Sequence, residues 1–156
     1  MEAVDRLVAI EEIKALKARY FRTMDTKDWD AFAAVFAPDA SMDVSGELGS
    51  GRDDGIVTGR AEIAAFVRAS VDAVQTVHHG HAPEIEIVSP TSATGIWALE
   101  DVLRWPDGGP IRSLQGYGHY HETYEKIDGH WMIGSMKLTR LRVDVERHAP
   151  VDRSGS

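Results

Sequence analysis

Three of the chain's seven histidines fall within four positions, His78-His79-Gly80-His81, at the mouth of an apolar, strand-like run. Imidazole takes and gives protons near neutral pH, so this segment is a candidate for general acid-base chemistry. In the run Ile96 to Leu103, alternation puts Trp97, Leu99, Asp101 and Leu103 on one face, where a lone carboxylate would be costly. Asp101 therefore needs a partner, and His78 is the expected one, because an aspartate can orient an imidazole and stabilise its charged form. The alternative is a structural aspartate hydrogen-bonded to loop backbone. Alternation is taken to put His78 and His81 on one face and His79 on the other, with no third metal ligand specified, so no metal is expected.

Arg140 continues an apolar parity through Met132, Gly134, Met136 and Leu138, and a buried guanidinium needs an anion or carbonyl. Asp25 could supply it, or a substrate oxygen could. Arg142 shares the parity but lies nearer the strand end, toward water. Tyr20 carries a phenol able to donate to a carbonyl or enolate, or it is simply a core aromatic. Tyr120 and His119 lie on opposite faces of their strand, so at most one of them lines a cavity. Trp97, Tyr120, His81 and Met136 are the candidate substrate-lining residues.

These residues must be positioned by elements that the sequence also outlines. Leu7, Ile10, Ile13, Leu16, Tyr20 and Met24 recur every three or four residues and predict a long amphipathic helix, with Lys14, Lys17 and Arg19 toward solvent. Asp25-Thr26-Lys27-Asp28 carries capping residues, and Trp29, Phe32, Ala33 and Phe36 predict a short second helix ending near Pro38. A strand is expected over Ala40 to Val44, a Gly- and Asp-rich loop or lid over Ser45 to Gly59, and a third helix from about Arg60 to Ala69. Strands follow: His78 to His81, Glu84 to Val88, Ala93 to Trp105, Ile111 to Lys126 and His130 to Val145. Helices first and strands afterwards imply an α+β fold. Gly95, Gly116, Gly118 and Gly134 within the strands suggest bends that curl the sheet. The expected architecture is three N-terminal helices on a strongly curled mixed β-sheet, a cone-shaped α+β barrel enclosing a pocket.

A chain of 156 residues with 43% hydrophobic content suits one domain, expected over residues 1–145, with 146–156 as a tail. Its formal charge of −8, from 25 acidic against 17 basic residues, argues against nucleic acid or anionic membrane as a partner. The absence of cysteine removes disulfides, thiolate nucleophiles and cysteine-rich zinc sites. The first residues lack the basic-then-apolar order of a signal peptide, and no run approaches the roughly 20 apolar residues of a membrane span, so a cytoplasmic location is expected.

Taken in order, several segments resemble a known family. They are Ile13-Lys14-Ala15-Leu16-Lys17-Ala18-Arg19-Tyr20-Phe21-Arg22, Asp25, Trp29, His78-His79-Gly80-His81-Ala82-Pro83-Glu84-Ile85, Gly95-Ile96-Trp97, Glu100-Asp101 and Tyr124-Glu125-Lys126-Ile127-Asp128-Gly129-His130-Trp131. The chain resembles the SnoaL-like branch of the nuclear transport factor 2-like superfamily, and within it most resembles the bacterial bile acid 7α-dehydratases, from about Ile10 to Arg142. The resemblance implies a catalytic set of Tyr20, Asp25, His78, Asp101 and Arg140, with His81 secondary. It implies a cofactor-independent lyase that dehydrates a small hydrophobic substrate bearing carbonyl and hydroxyl groups, steroid-like or polycyclic. An isomerase, a polyketide-cyclase-type enzyme or a non-catalytic binding module on the same scaffold is the alternative. It also implies a homo-oligomer, a trimer ahead of a dimer. The loop 45–59, His119 and His121 depart from the dehydratase pattern.

Overall fold

The structure is a computed structural model and describes residues 1–46 and 55–149. Helix α1 (Ala3–Asp25) and helix α2 (Trp29–Ala34) lead into strand β1 (Phe36–Asp43). Strand β2 (Ile56–Thr58) and helix α3 (Arg60–Val71) follow, then four long strands: β3 (Gln75–Ser89), β4 (Ser92–Arg104), β5 (Ile111–Ile127) and β6 (His130–Arg147). The six strands form one mixed sheet in the order β2-β1-β6-β5-β4-β3, with β1 parallel to β6 and every other pair antiparallel. The helices pack on one face of this strongly curled, unclosed sheet, as an α+β cone requires. Among the described residues, no helix is long and apolar enough to cross a membrane.

Several expectations change. Strand β3 runs unbroken through Ala82 and Pro83, where two strands were expected, because a bulge absorbs them: register jumps between His81 and Glu84, and Ala82 takes φ +34°. Strand β1 starts at Phe36 and contains Pro38, at a register irregularity where the missing N–H costs no ladder bond. The end of the expected loop 45–59 is strand β2, paired to Ser41–Asp43, and its residues 47–54 lie outside the described residues. Strand β6 reaches Arg147, two residues into the expected tail; Asp152 to Ser156 lie outside the described residues. On α1, Leu7 is exposed, whereas Lys17, expected toward solvent, is fully buried. Lys17 stands four residues after Ile13 and three before Tyr20, and so falls on the buried stripe.

Two further bulges, at Gly134 and Leu141, interrupt β6, where Thr123 pairs with Ser135 but Tyr124 with Ile133, and Gly118 pairs with Arg140 but Tyr117 with Arg142. Each extra residue reverses the inside-outside alternation. Trp131 and Ile133 are buried below the first bulge and Met136 above it, so Met132 and Gly134 leave the face they were expected to share with Arg140.

Candidate functional site

Helix α1 ends at Asp25, where the chain turns through Lys27 in a left-handed conformation (φ +62°), closed by Lys27 N–H to the Met24 carbonyl and Asp28 N–H to that of Thr23. Asp28 then caps α2 by accepting from the Ala31 N–H at 3.2 Å. This turn sets the Asp25 carboxylate against the start of β3. His78 Nδ1 lies 2.7 Å from Asp25 Oδ1, and the His78 backbone N–H donates to Oδ2 at 2.9 Å. A carboxylate only accepts, so the ring's proton sits on Nδ1 and the basic lone pair on Nε2. Thr76, two residues earlier and on the same face, donates its hydroxyl to Asp25 Oδ1 at 2.8 Å and accepts from Lys27 Nζ at 3.0 Å. Burial pushes the Asp25 carboxyl up, but the His78 ring and backbone donors, the His78 charge and the Thr76 hydroxyl outweigh it, and the net shift is downward.

The expected pairing of His78 with Asp101 is therefore corrected. The two residues are direct register partners on β3 and β4, but the Asp101 carboxylate turns the other way, onto Arg140. Arg140 Nη1 donates to Oδ1 at 2.9 Å and Nη2 to Oδ2 at 2.8 Å, a forked, bidentate pair that is mostly buried. Asp25 does not serve as the arginine's anion. The swap has a steric reason. Asp101 on β4 and Arg140 on β6 flank β5, and they meet across Gly116, where any Cβ would overlap both Asp101 Oδ1 and Arg140 Nη1. Arg142 is exposed and bonded to Asp144.

Behind the two ion pairs stand Tyr20 and Tyr120, both buried, with ring centroids 5.9 Å apart. Burial, together with the negative potential of Tyr20, Asp101 and Glu122, holds the Tyr120 phenol well above its ordinary range, so it stays a neutral donor. Next to them lies the pair Lys17 and Glu122, both side chains fully buried. The Lys17 ammonium sits 3.9 Å from the Tyr20 ring centroid and 3.6 Å from that of Tyr120. Burial draws Lys17 down to about 8, against the opposing pull of Glu122. Glu122 also accepts from the Tyr124 hydroxyl, which in turn accepts from Trp97 Nε1 at 2.8 Å. Of the expected lining residues, Trp97, Tyr120 and Met136 are buried.

His81 is corrected. It faces outward, stacked on His79 at 6.1 Å and 3.6 Å from Glu100, because positions three apart in a strand lie on opposite faces. Thr76, Lys27, Lys17, Glu122 and Gly116 were not anticipated. Thr76 could have been found from its two-residue spacing to His78, and Lys17 from its place on the helix stripe.

A shallow cleft of about 370 Å³ reaches Asp25, lined by Asp25, Lys27, Asp72, Val74, Gln75 and Thr76 together with Ala73.

Comparison with known proteins bears on the family and the fold. The chain is 28% identical over 134 residues to a protein named probable cyclase FGR4 from Gibberella zeae, covering 83% of this chain and 89% of that one. Among solved structures, a candidate scytalone dehydratase from Novosphingobium aromaticivorans superposes with a TM-score of 0.79 at 22% identity, over 99% of this chain and all of that one. A type 2 hexachlorocyclohexane dehydrochlorinase, LinA, gives 0.79 at 19% identity, over 96% of this chain and 95% of that one. Rv3472 of Mycobacterium tuberculosis, of unknown function, gives 0.74 at 27%, over 91% of this chain and 78% of that one. The SnoaL-like domain model matches residues 5–137, most of the chain, and with the curled sheet and its helices this places the protein in the SnoaL-like family of the nuclear transport factor 2-like superfamily.

Proposed function

We propose that the protein is a cofactor-independent lyase that removes water from a small hydrophobic carbonyl compound bearing a hydroxyl group, with a steroid-like or polycyclic skeleton. One observation carries this reading: His78 is fixed through Nδ1 and its own backbone N–H to Asp25, beside a forked Asp101–Arg140 pair on the same sheet face. His78 Nε2 is the general base. It takes the proton from a carbon next to the carbonyl, and the C–H electron pair passes through an enolate into a new C=C bond. The C–O bond to the hydroxyl breaks, and the oxygen leaves as water carrying a proton returned by the imidazolium. Arg140, held by Asp101, supplies fixed N–H donors at the oxygen where charge develops, and Tyr20 donates to the same region. Trp97, Tyr120 and Met136 shape the apolar surroundings.

The relationship to a protein named as a cyclase favours a second reading of the same machinery. The enolate formed by His78 would then attack a carbonyl within the substrate and close a ring, the C=O π pair passing to oxygen as an alkoxide that takes the proton back from the imidazolium. Mass spectrometry separates the two. Purified protein is incubated with hydroxylated 3-oxo-steroids, bile-acid derivatives and aromatic polyketides, beside His78→Ala. Loss of one water that disappears in the variant is the expected result. A product of unchanged mass that depends on His78 replaces dehydration by cyclisation or isomerisation, and tight retention of a compound that neither protein alters contradicts the enzyme reading.

A further inference from the structure

We infer that Lys27 and Thr76 are positioning residues that set the proton affinity of His78 through Asp25, from the solvent side of the site. The inference rests on the reading of His78 as the base, and it extends that reading to groups outside the substrate's reach. The hydrogen bonds run in one direction only. Thr76 has a single hydroxyl proton, and it is committed to Asp25 Oδ1 at 2.8 Å, so the hydroxyl can meet Lys27 only as an acceptor, at 3.0 Å. Asp25 Oδ1 is thus shared between Thr76 and His78 Nδ1. A donor on one side of a carboxylate oxygen draws off charge that would otherwise hold the imidazolium on the other.

The surrounding structure protects this chain. Thr76 is buried, and it stands two residues before His78, so both side chains are on one face of β3. Lys27 occupies a left-handed turn that a glycine or asparagine would enter more cheaply. The lysine at that point delivers an ammonium to Thr76, which neither of those residues can do. The cleft of about 370 Å³ opens onto Asp25, Lys27 and Thr76 without touching His78, so the chain meets water on the side away from the base.

Lys27 feels Asp25 and Asp72, and Asp72 is itself bonded by Trp29 Nε1 at 2.7 Å and faces Arg68 at 3.9 Å. On the sheet, His78 has Asp101 as its register partner, and Asp101 is committed to Arg140. Removing the Lys27 charge or the Thr76 hydroxyl concentrates negative charge on the Asp25 oxygen that faces His78, which makes the imidazole more basic.

The test is an NMR titration of the His78 ring in the whole chain, which needs no substrate. Lys27→Met is expected to raise the His78 pKa by about half a unit, the effect of one unit charge a few ångströms away in a water-like dielectric. Thr76→Val is expected to raise it as well, and Thr76→Ser, which keeps the hydroxyl, to leave it at the wild-type value. A His78 pKa that stays within about 0.1 unit of wild type in Lys27→Met overturns the inference, and so does a Thr76→Ser value that follows Thr76→Val. If the titration moves as expected while the compound panel shows no chemistry, the positioning role stands and only the lyase reading fails. If turnover depends on His78 while its titration ignores both variants, the positioning role fails and the base assignment stands.

Discussion

The carboxylate of Asp25 accepts three hydrogen bonds, from the His78 ring at 2.7 Å, the Thr76 hydroxyl at 2.8 Å and the His78 backbone at 2.9 Å. All three favour the charged form and, with the His78 charge, overcome the burial that opposes it. A carboxyl whose folded pKa lies below its unfolded value stabilises the protein above that unfolded value, near 4, and loses the contribution as pH falls through the folded pKa. Asp25→Asn should therefore be less stable than wild type at pH 7, with the difference shrinking below about pH 4. Urea midpoints at both pH values check this; a gap that widens on acidification contradicts it. The pairing of these residues was not readable from their types. Asp25 and Asp101 both suit His78 chemically, and the reach of the α1 C-terminus to Thr76 and His78, together with the opening at Gly116 that commits Asp101 to Arg140, decides between them.

At the level of elements, the crossing of Asp101 and Arg140 over β5 depends on the absence of a side chain at Gly116. Gly116→Ala should push the guanidinium off its carboxylate, at a stability cost of about 1–3 kcal/mol for overpacking. Turnover should fall by about 10²-fold, the scale of effect that an ångström of misplacement produces. Gly109→Ala, in the β4–β5 connection where a Cβ meets nothing within 4 Å, serves as the control and should change neither. Equal activity in the two variants would show that the forked pair is dispensable. Strand alternation located Trp97, Leu99 and Asp101 correctly because β4 has no bulge, and it failed along β6 because single extra residues invert the faces there, whereas His81 was misplaced because positions three apart do not share a strand face. Such bulges leave little mark in an apolar-polar pattern.

At the scale of the whole molecule, a charged pair is buried among the core residues, which composition does not reveal. Lys17 on α1 and Glu122 on β5 are fully buried, between the tyrosine rings and Tyr124. Lys17→Met would strand a buried carboxylate and should cost about 3–5 kcal/mol, whereas Lys17→Met with Glu122→Gln, which keeps an acceptor for Tyr124, should recover most of it. Denaturant unfolding of the two variants measures the difference, and a double variant no more stable than the single would refute the stranded-charge account. The order of helices and strands made the α+β architecture legible, since periods of 3.6 and 2 depend on local pattern. Which polar residues turn inward depends on contacts between elements far apart in the chain, and Lys17 was read by its charge instead of by its position. The most direct test of His78 as the base is carbon-proton exchange in D₂O, followed by mass spectrometry on the same carbonyl panel. It reports proton removal whether the reaction ends in dehydration or ring closure. Deuterium should enter next to the carbonyl of a compound the protein takes up, at a rate about 10²–10⁴-fold lower in His78→Ala; equal uptake by the two proteins would contradict the assignment.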